Sequence, residues 1–317
     1  MVRWLGGEHL VLWLVVLSFV GLLPFTPDLA SRENLANLLL TLLPLLVLAC
    51  GQTVVLITGG IDLSACAIMA VASVVGGLAM NGDTGWLTGS PWAAPVGVLL
   101  MLAVGAGLGA LNGLSVAVLR MPPFMVTLTT MMAGGGLAIW LIRSETIYNL
   151  PPAFNALGGR LALATLITVA LAGGAHLLLS RTLLGRWLYA IGHNARMAHI
   201  SGVPVAGVML AAYVLSGLLA AAAAVLYTGQ AETASPLLGQ RLLLDVIAAT
   251  VIGGTSLFGG RGKVLWTLGG VAFIKLLDNS LNLLNCSFFT ITMVKGAVVL
   301  AAALLDATRC RLLEAEA

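Results

Sequence analysis

Charge is what this sequence has least of. Asp, Glu, Lys and Arg together make up 9% of its 317 residues, where a soluble domain carries about 25%. A globule of this size could not cover its surface with so few charges, which excludes a cytosolic enzyme, a secreted domain and a disordered chain. Cysteine is scarce too. The four residues at 50, 66, 286 and 310 never stand at CxxC spacing, so a disulfide framework and a zinc site find no support. Cys50 and Cys66 lie within apolar runs and read as small packing residues. The net charge is only +3 and the basic residues are scattered singly, which leaves no nucleic-acid patch. Alternating segments of about ten residues, the mark of a porin-type barrel, are missing. So is a phosphate-binding loop. The nearest candidate, Gly259-Gly260-Arg261-Gly262-Lys263-Val264, lacks Ser or Thr after the lysine and has Leu257 at the first glycine position. No nucleophile triad, HExxH or haem motif is present. The chain is therefore expected to be no enzyme, to hold no metal or cofactor, and to leave any ATP to partner subunits.

What is there is apolar. The hydrophobic set makes up 60% of the residues and mean hydropathy is +1.06. A span needs about 20 apolar residues, with a range of roughly 17–25. The uncharged intervals predict an all-α, polytopic membrane protein with ten helices at 10–23, 35–58, 63–80, 96–119, 124–142, 161–180, 205–227, 241–256, 264–284 and 288–305. The eighth is short and begins at Arg241. The first resembles a signal peptide in length, but Glu8 sits in what would be its basic leader and no A-x-A site follows, so a retained span is expected. Ten spans put both termini on one side. Nine basic residues (Arg3, Arg120, Arg181, Arg186, Arg196, Arg261, Lys263, Arg309 and Arg311) share that side, against four (Arg32, Arg143, Arg160 and Arg241) on the other. The positive-inside rule then makes the termini cytoplasmic. Asp28, Glu33, Asp83, Glu145 and Glu232 fall outside. Trp86 and Trp92 suit the outer interface, Trp4 and Trp13 the inner one. The longest cytoplasmic segment, 181–204, is too short for a separate domain, so residues 1–317 read as one transmembrane domain.

Small residues predict tight crossings. Gly105, Gly109 and Gly113 form two overlapping GxxxG steps, and Gly134-Gly135-Gly136 and the alanines 220–224 are expected to act similarly. A GG-x-x-L echo links Gly59–Leu63 with Gly253–Leu257, through chance or as the trace of a repeat.

Polar residues within spans are the candidates for chemistry. Lys275, Asp278, Asn279, Asn282 and Asn285 lie within roughly a 120° arc at about 100° per residue. Such a stripe faces a helix, a cavity or an aqueous path. Two readings stand, polar glue between helices and the wall of a transport path. Lys275 and Asp278 are spaced for a local pair, as are Arg241 and Asp245. Lys295 has no local acid and is expected to reach Asp278 or Asp245 across the bundle. A structural clamp suits these charges better than a proton relay, because each acid is expected to have a base. Asp62, in Gly59-Gly60-Ile61-Asp62-Leu63-Ser64, sits at a break between spans, where it caps the next helix with help from Ser64 or serves a gate. The segment from Arg181 to Val203 reads as an amphipathic helix on the cytoplasmic face whose apolar residues need a covering partner. His193 and His199 are six apart, the wrong spacing for two metal ligands on one face.

Together these residues resemble the permease subunits of bacterial ABC importers for monosaccharides, the ribose, xylose and galactose group, from about Asn34 to Asp306. The family's GGIDLS segment stands at Gly59 to Ser64. Its GR-x-x-YA-I/L-G-x-N…SG segment stands as Gly185-Arg186, Tyr189-Ala190-Ile191-Gly192, Asn194 and Ser201-Gly202. Its D-x-I-A-A…GGTSL-x-GG-x-G segment runs from Asp245 to Gly262, and its NLL ending is Asn282 to Leu284. The resemblance implies a permease in the bacterial inner membrane that pairs with a second copy or a paralogue. It would work with two cytoplasmic ATP-binding subunits and a periplasmic sugar-binding protein by alternating access. Gly185, Arg186, Gly192, Asn194, Ser201 and Gly202 would then belong to the coupling helix that docks into an ATPase groove. Asp62, Asp245, Lys275, Asp278, Asn279, Asn282 and Lys295 would belong to the translocation path or a buried polar network. The sequence departs from the family pattern at Ala65-Cys66, usually Val-Gly, at Ala195-Arg196-Met197, usually Glu-Ala-Ala, and at Asp278, usually neutral. Two alternatives remain: a branched-chain amino-acid permease of the same superfamily, and an ion-driven secondary transporter, which would need an unpaired intramembrane acid.

Overall fold

In hydrocarbon no water satisfies backbone N–H and C=O groups, so a chain this apolar must bond them within helices. A computed structural model describes residues 10–315, apart from the side chains of Leu10, Ala302, Ala303 and residues 305–315. Among the described residues twelve α-helices follow one another: α1 (Leu10–Leu22), α2 (Arg32–Ile57), α3 (Ala65–Met80), α4 (Ala93–Ala117), α5 (Pro123–Ile142), α6 (Pro152–Gly159), α7 (Leu161–Arg181), α8 (Leu183–Ile200), α9 (Val205–Ala231), α10 (Leu242–Ile252), α11 (Val264–Leu283) and α12 (Phe288–Ala315). A 3-10 turn, Pro27–Ala30, precedes α2, and the one isolated bridge among the described residues joins Ile147 to Ala234. Arg3, Trp4 and Glu8 lie outside the described residues, as do the side chains of Arg309, Cys310 and Arg311.

Among the described residues, six helices (α2, α4, α5, α7, α9 and α11) are long and apolar enough to cross a membrane, and four shorter apolar ones (α1, α3, α10 and α12) coincide with the rest of the ten expected segments. The eighth departs most from expectation. Helix α10 has 11 residues, about 16 Å at 1.5 Å per residue, roughly half the hydrocarbon thickness. It stops where Gly253 caps it and Gly254 takes a φ of +81°, a left-handed conformation that glycine adopts freely. The expected end at 256 fails for that reason. Helix α6 was not expected either. It starts at the Pro151-Pro152 pair, where a missing N–H costs nothing, and lies along α9, with Gly158 packed on the Leu226 carbonyl.

Helix α2 is the centre of the bundle, with every residue from Leu42 to Ile57 buried. The GxxxG steps of α4 meet α9. A Cβ at Gly105 would strike the Gly217 carbonyl, and one at Gly109 would come 2.5 Å from the Tyr213 carbonyl. Only glycine allows backbones this close, and packing is what drives helix association in lipid. The other glycine run behaves differently: Gly134 faces Ala67 of α3 at 3.3 Å, while Gly135 and Gly136 face open space and make no crossing.

The connections sort to alternate ends. At one end lie the 58–64 break, the α4–α5 turn, α8 and the 253–263 loop, with Arg120, Arg181, Arg186, Arg196, Arg261 and Lys263 all exposed. At the other, Gly82 N–H donates to the Asn149 carbonyl (2.9 Å) and Asn81 Nδ2 to the Tyr148 carbonyl (2.9 Å). Exposed Asp83, Glu145, Glu232, Trp86 and Trp92 belong to that end.

Candidate functional site

Helix α8 begins where Thr182 caps it, its Oγ1 accepting from Gly185 N–H (3.1 Å). Gly185 makes the corner with α7 possible, because a Cβ there would run into the Leu178 and Leu179 carbonyls. The helix is broken at Asn194, whose φ of −163° is extended and whose Oδ1 accepts from Met197 N–H (3.0 Å), so Asn194 caps the second half. Ser201 closes that half, and Gly202 follows at a φ of +84° in open space. Leu188, Ile191 and Ala198 are buried; Arg186, His193, Arg196, Met197 and Ile200 point outward.

Gly192 fixes the whole segment. Its Cα sits against the end of α2 and the 253–263 loop so closely that any Cβ would collide with the Ile57 carbonyl and the Gly260 N–H. The same Ile57 carbonyl accepts from Gly260 N–H (2.9 Å). Gly260 lies under the His193 ring, and Tyr189 Oη donates to the Gly262 carbonyl (2.6 Å). Partial burial holds the Tyr189 phenol above its ordinary pKa. Three of the sequence motifs, at 59–64, 185–202 and 245–262, thus meet at one junction.

Five residues beyond Ile57, Asp62 is buried and heads a polar chain. Its Oδ1 accepts from Ser64 N–H (2.9 Å) and Ser64 Oγ (2.6 Å), which closes a turn just ahead of α3, and its Oδ2 accepts from Ser216 Oγ of α9 (2.7 Å). Asn112 of α4 donates through Nδ2 to Ser64 Oγ (2.7 Å), and its Oδ1 accepts from Thr130 of α5 (2.6 Å). Thr127 of α5 donates to the Ile61 carbonyl (3.1 Å). All of Asp62's side-chain donors here are neutral. The expectation that each acid has a base is corrected at this position: the start of α3 and two hydroxyls replace the base. Tyr213 Oη, wholly buried beside Gly60, has no hydrogen-bond partner.

A second cluster joins α10, α11 and α12. Lys295 Nζ lies 3.1 Å from Asp245 Oδ2 and 2.7 Å from Asp278 Oδ1, so the expected reach across the bundle is made to both acids. The two local pairs are not what forms. Asp245 and Asp278 take Lys295 as their ion partner, while Arg241 turns over the Phe288 ring, 4.7 Å from its centroid. Lys275 is buried beside this cluster. The stripe of α11 fades outward. Asn279 is half-buried with Nδ2 unpartnered, Asn282 is exposed and donates to its own helix's Asp278 carbonyl (2.7 Å), and Asn285 is exposed past the helix end. Asn112, Thr130, Ser216 and Tyr213 were not singled out from the sequence. They are scattered over the apolar helices α4, α5 and α9 among other hydroxyl residues, and the only signal is that a buried polar side chain needs a partner.

A family model described as "Branched-chain amino acid transport system / permease component" matches residues 34–303. Among curated relatives, the ribose import permease protein of Bacillus subtilis is 39% identical over 307 residues, covering 95% of this chain and 92% of its own. The L-arabinose transport system permease protein of Escherichia coli is 33% identical over 292 residues, covering 91% and 87%. A probable ABC transporter permease protein of Sinorhizobium fredii is 32% identical over 300 residues, covering 92% and 86%. No solved structure matches. Ten apolar segments sorted to alternate ends, a glycine-locked junction at one end and matches along most of its length agree: this chain is a multi-pass membrane protein of the branched-chain amino acid transport system / permease component family.

Proposed function

We propose that the chain forms the translocation path for a monosaccharide or similar small polyol in an ATP-driven importer of the bacterial inner membrane, working by alternating access. Both termini and α8 face the cytoplasm, two permease copies or a copy and a paralogue make the pore, two ATP-binding subunits drive it, and a periplasmic binding protein delivers the substrate. The observation that carries this reading is the mounting of α8. Its inner face is locked by Gly192 onto Ile57 and Gly260, while its outer face presents Arg186, Arg196, Met197 and Ile200. A partner pressing there pushes on the end of the most buried helix in the bundle. The excess of basic residues at this end supports its cytoplasmic placement. The sugar class is supported by the relatives named for ribose and arabinose.

The second reading, a branched-chain amino acid substrate, is favoured by the description of the matching family. One experiment separates the two. The complex is reconstituted with its ATPase and its binding protein, and ATP hydrolysis is measured with the binding protein loaded from a panel of pentoses, hexoses, polyols, leucine, isoleucine and valine. Stimulation by a sugar or polyol alone is expected. Stimulation by the amino acids alone would overturn the substrate class.

A further inference from the structure

Between the junction at Ile57 and the polar chain at Asp62 run only four residues. Ile57, at the end of α2, is held by Gly260 N–H and by the close approach of Gly192. Asp62 is fastened to three other helices: to α9 directly through Ser216, to α4 through Ser64 and Asn112, and to α5 through Asn112 and Thr130. Thr127 adds a second tie to α5 at the Ile61 carbonyl. The two carboxylate oxygens have separate tasks. Oδ1 shapes the break by bonding Ser64, and Oδ2 crosses to α9. A displacement of α8 against Ile57 therefore has a short, hydrogen-bonded route to α4, α5 and α9, and α4 and α9 are already locked backbone to backbone at Gly105 and Gly217.

We propose that Asp62 is a positioning residue for coupling: its carboxylate ties the coupling junction to α4, α5 and α9, so that force delivered at α8 moves these helices together. The inference rests on the ATP-driven importer reading and extends it to a residue that touches neither ATP nor the ATPase. A carboxylate suits the task because it accepts all three bonds at once. Asn at this position keeps the shape but loses the charge: Oδ1 can still accept from Ser64 and the amide can donate to Ser216 Oγ, so weaker neutral bonds replace three charge-assisted ones. Ser216→Ala keeps the charge and cuts only the tie to α9.

The test uses the assembled importer in proteoliposomes, with wild-type chain, Asp62→Asn, Ser216→Ala and the double variant. Complex assembly, ATP hydrolysis without substrate, stimulation by the loaded binding protein, and substrate moved per ATP are all measured. The expected result is an assembled complex with hydrolysis without substrate within about twofold of wild type. Stimulation and substrate per ATP should fall at least fivefold in Asp62→Asn and by a smaller factor in Ser216→Ala. The double variant should be no worse than Asp62→Asn alone, because the two act through one bond. A wild-type yield of substrate per ATP in both single variants would overturn the proposal. So would failure of both to assemble, since the carboxylate would then only hold the fold. A wild-type complex that moves no substrate with ATP would instead sink the importer reading itself, which keeps the two failures apart.

Discussion

Replacing Lys295 with Met tests the α10–α11–α12 cluster. The methionine keeps most of the volume and removes the charge. Two carboxylates lose their partner, and they are not equivalent. The Asp245 side chain is 8% exposed and has little access to water, whereas that of Asp278 is 28% exposed and can rehydrate. Removing one member of a buried ion pair costs about 3–5 kcal/mol. The Lys295 side chain is itself 17% exposed, so solvent screening brings the cost below that range, to about 2–3 kcal/mol. At about 2 °C per kcal/mol for a chain of this size, the apparent melting point should fall by about 4–6 °C. Heating the detergent-solubilised chain and following the monodisperse fraction by size-exclusion chromatography reads this directly. Lys295→Met with Asp245→Asn should recover more than half of the loss, because the stranded charge is gone. A single variant melting within 1 °C of wild type, or a double variant no better than the single, would refute the reasoning.

Other perturbations discriminate among the glycines and the junction. Gly192→Val should insert in the membrane but abolish transport, since a Cβ there meets backbone at Ile57 and Gly260; surface labelling with an uptake assay checks both. Gly202→Val should also impair transport, but by backbone strain at a φ of +84°, so Gly202→Asn should be far milder than Gly202→Val, whereas Gly192→Asn should be as bad as Gly192→Val. Gly105→Leu should prevent the α4–α9 crossing and leave little folded chain on fluorescence size-exclusion profiles. Tyr189→Phe removes one bond to the Gly262 carbonyl and should cost about 1 kcal/mol in the same melting assay, with uptake reduced rather than lost.

Hydrophobic length carried most of the fold in the sequence. The ten segments were readable because a chain in lipid has no other way to satisfy its backbone, and the exceptions were local. Helix α10 is cut short by Gly253-Gly254, and α6 hides in a loop behind the Pro151-Pro152 turn signal. Of the candidate residues, Lys295 was readable because an intramembrane cation without a local acid must find one elsewhere. Its capture of both Asp245 and Asp278 was not, since helix spacing offers each acid a nearer base and tertiary geometry decides between them. The partners of Asp62 were hidden for a related reason: Asn112, Thr130 and Ser216 lie on three separate helices, and only the crossings bring them together. Gly192 was visible as part of a motif, but its contact with Ile57 comes from a chain segment far away in sequence.

The proposed function requires that substrate moves only when a nucleotide-hydrolysing partner works on α8. Because Asp62 is a buried acid without a basic partner among the described residues, the ion-driven alternative makes a sharp contrary statement. The most direct measurement compares accumulation of radiolabelled sugar in liposomes holding the purified chain alone, under imposed proton or sodium gradients, with accumulation in liposomes holding the complete complex, its loaded binding protein and ATP. The account predicts no uphill uptake by the lone chain under either gradient and concentrative uptake by the complex. Concentrative uptake by the lone chain would contradict it.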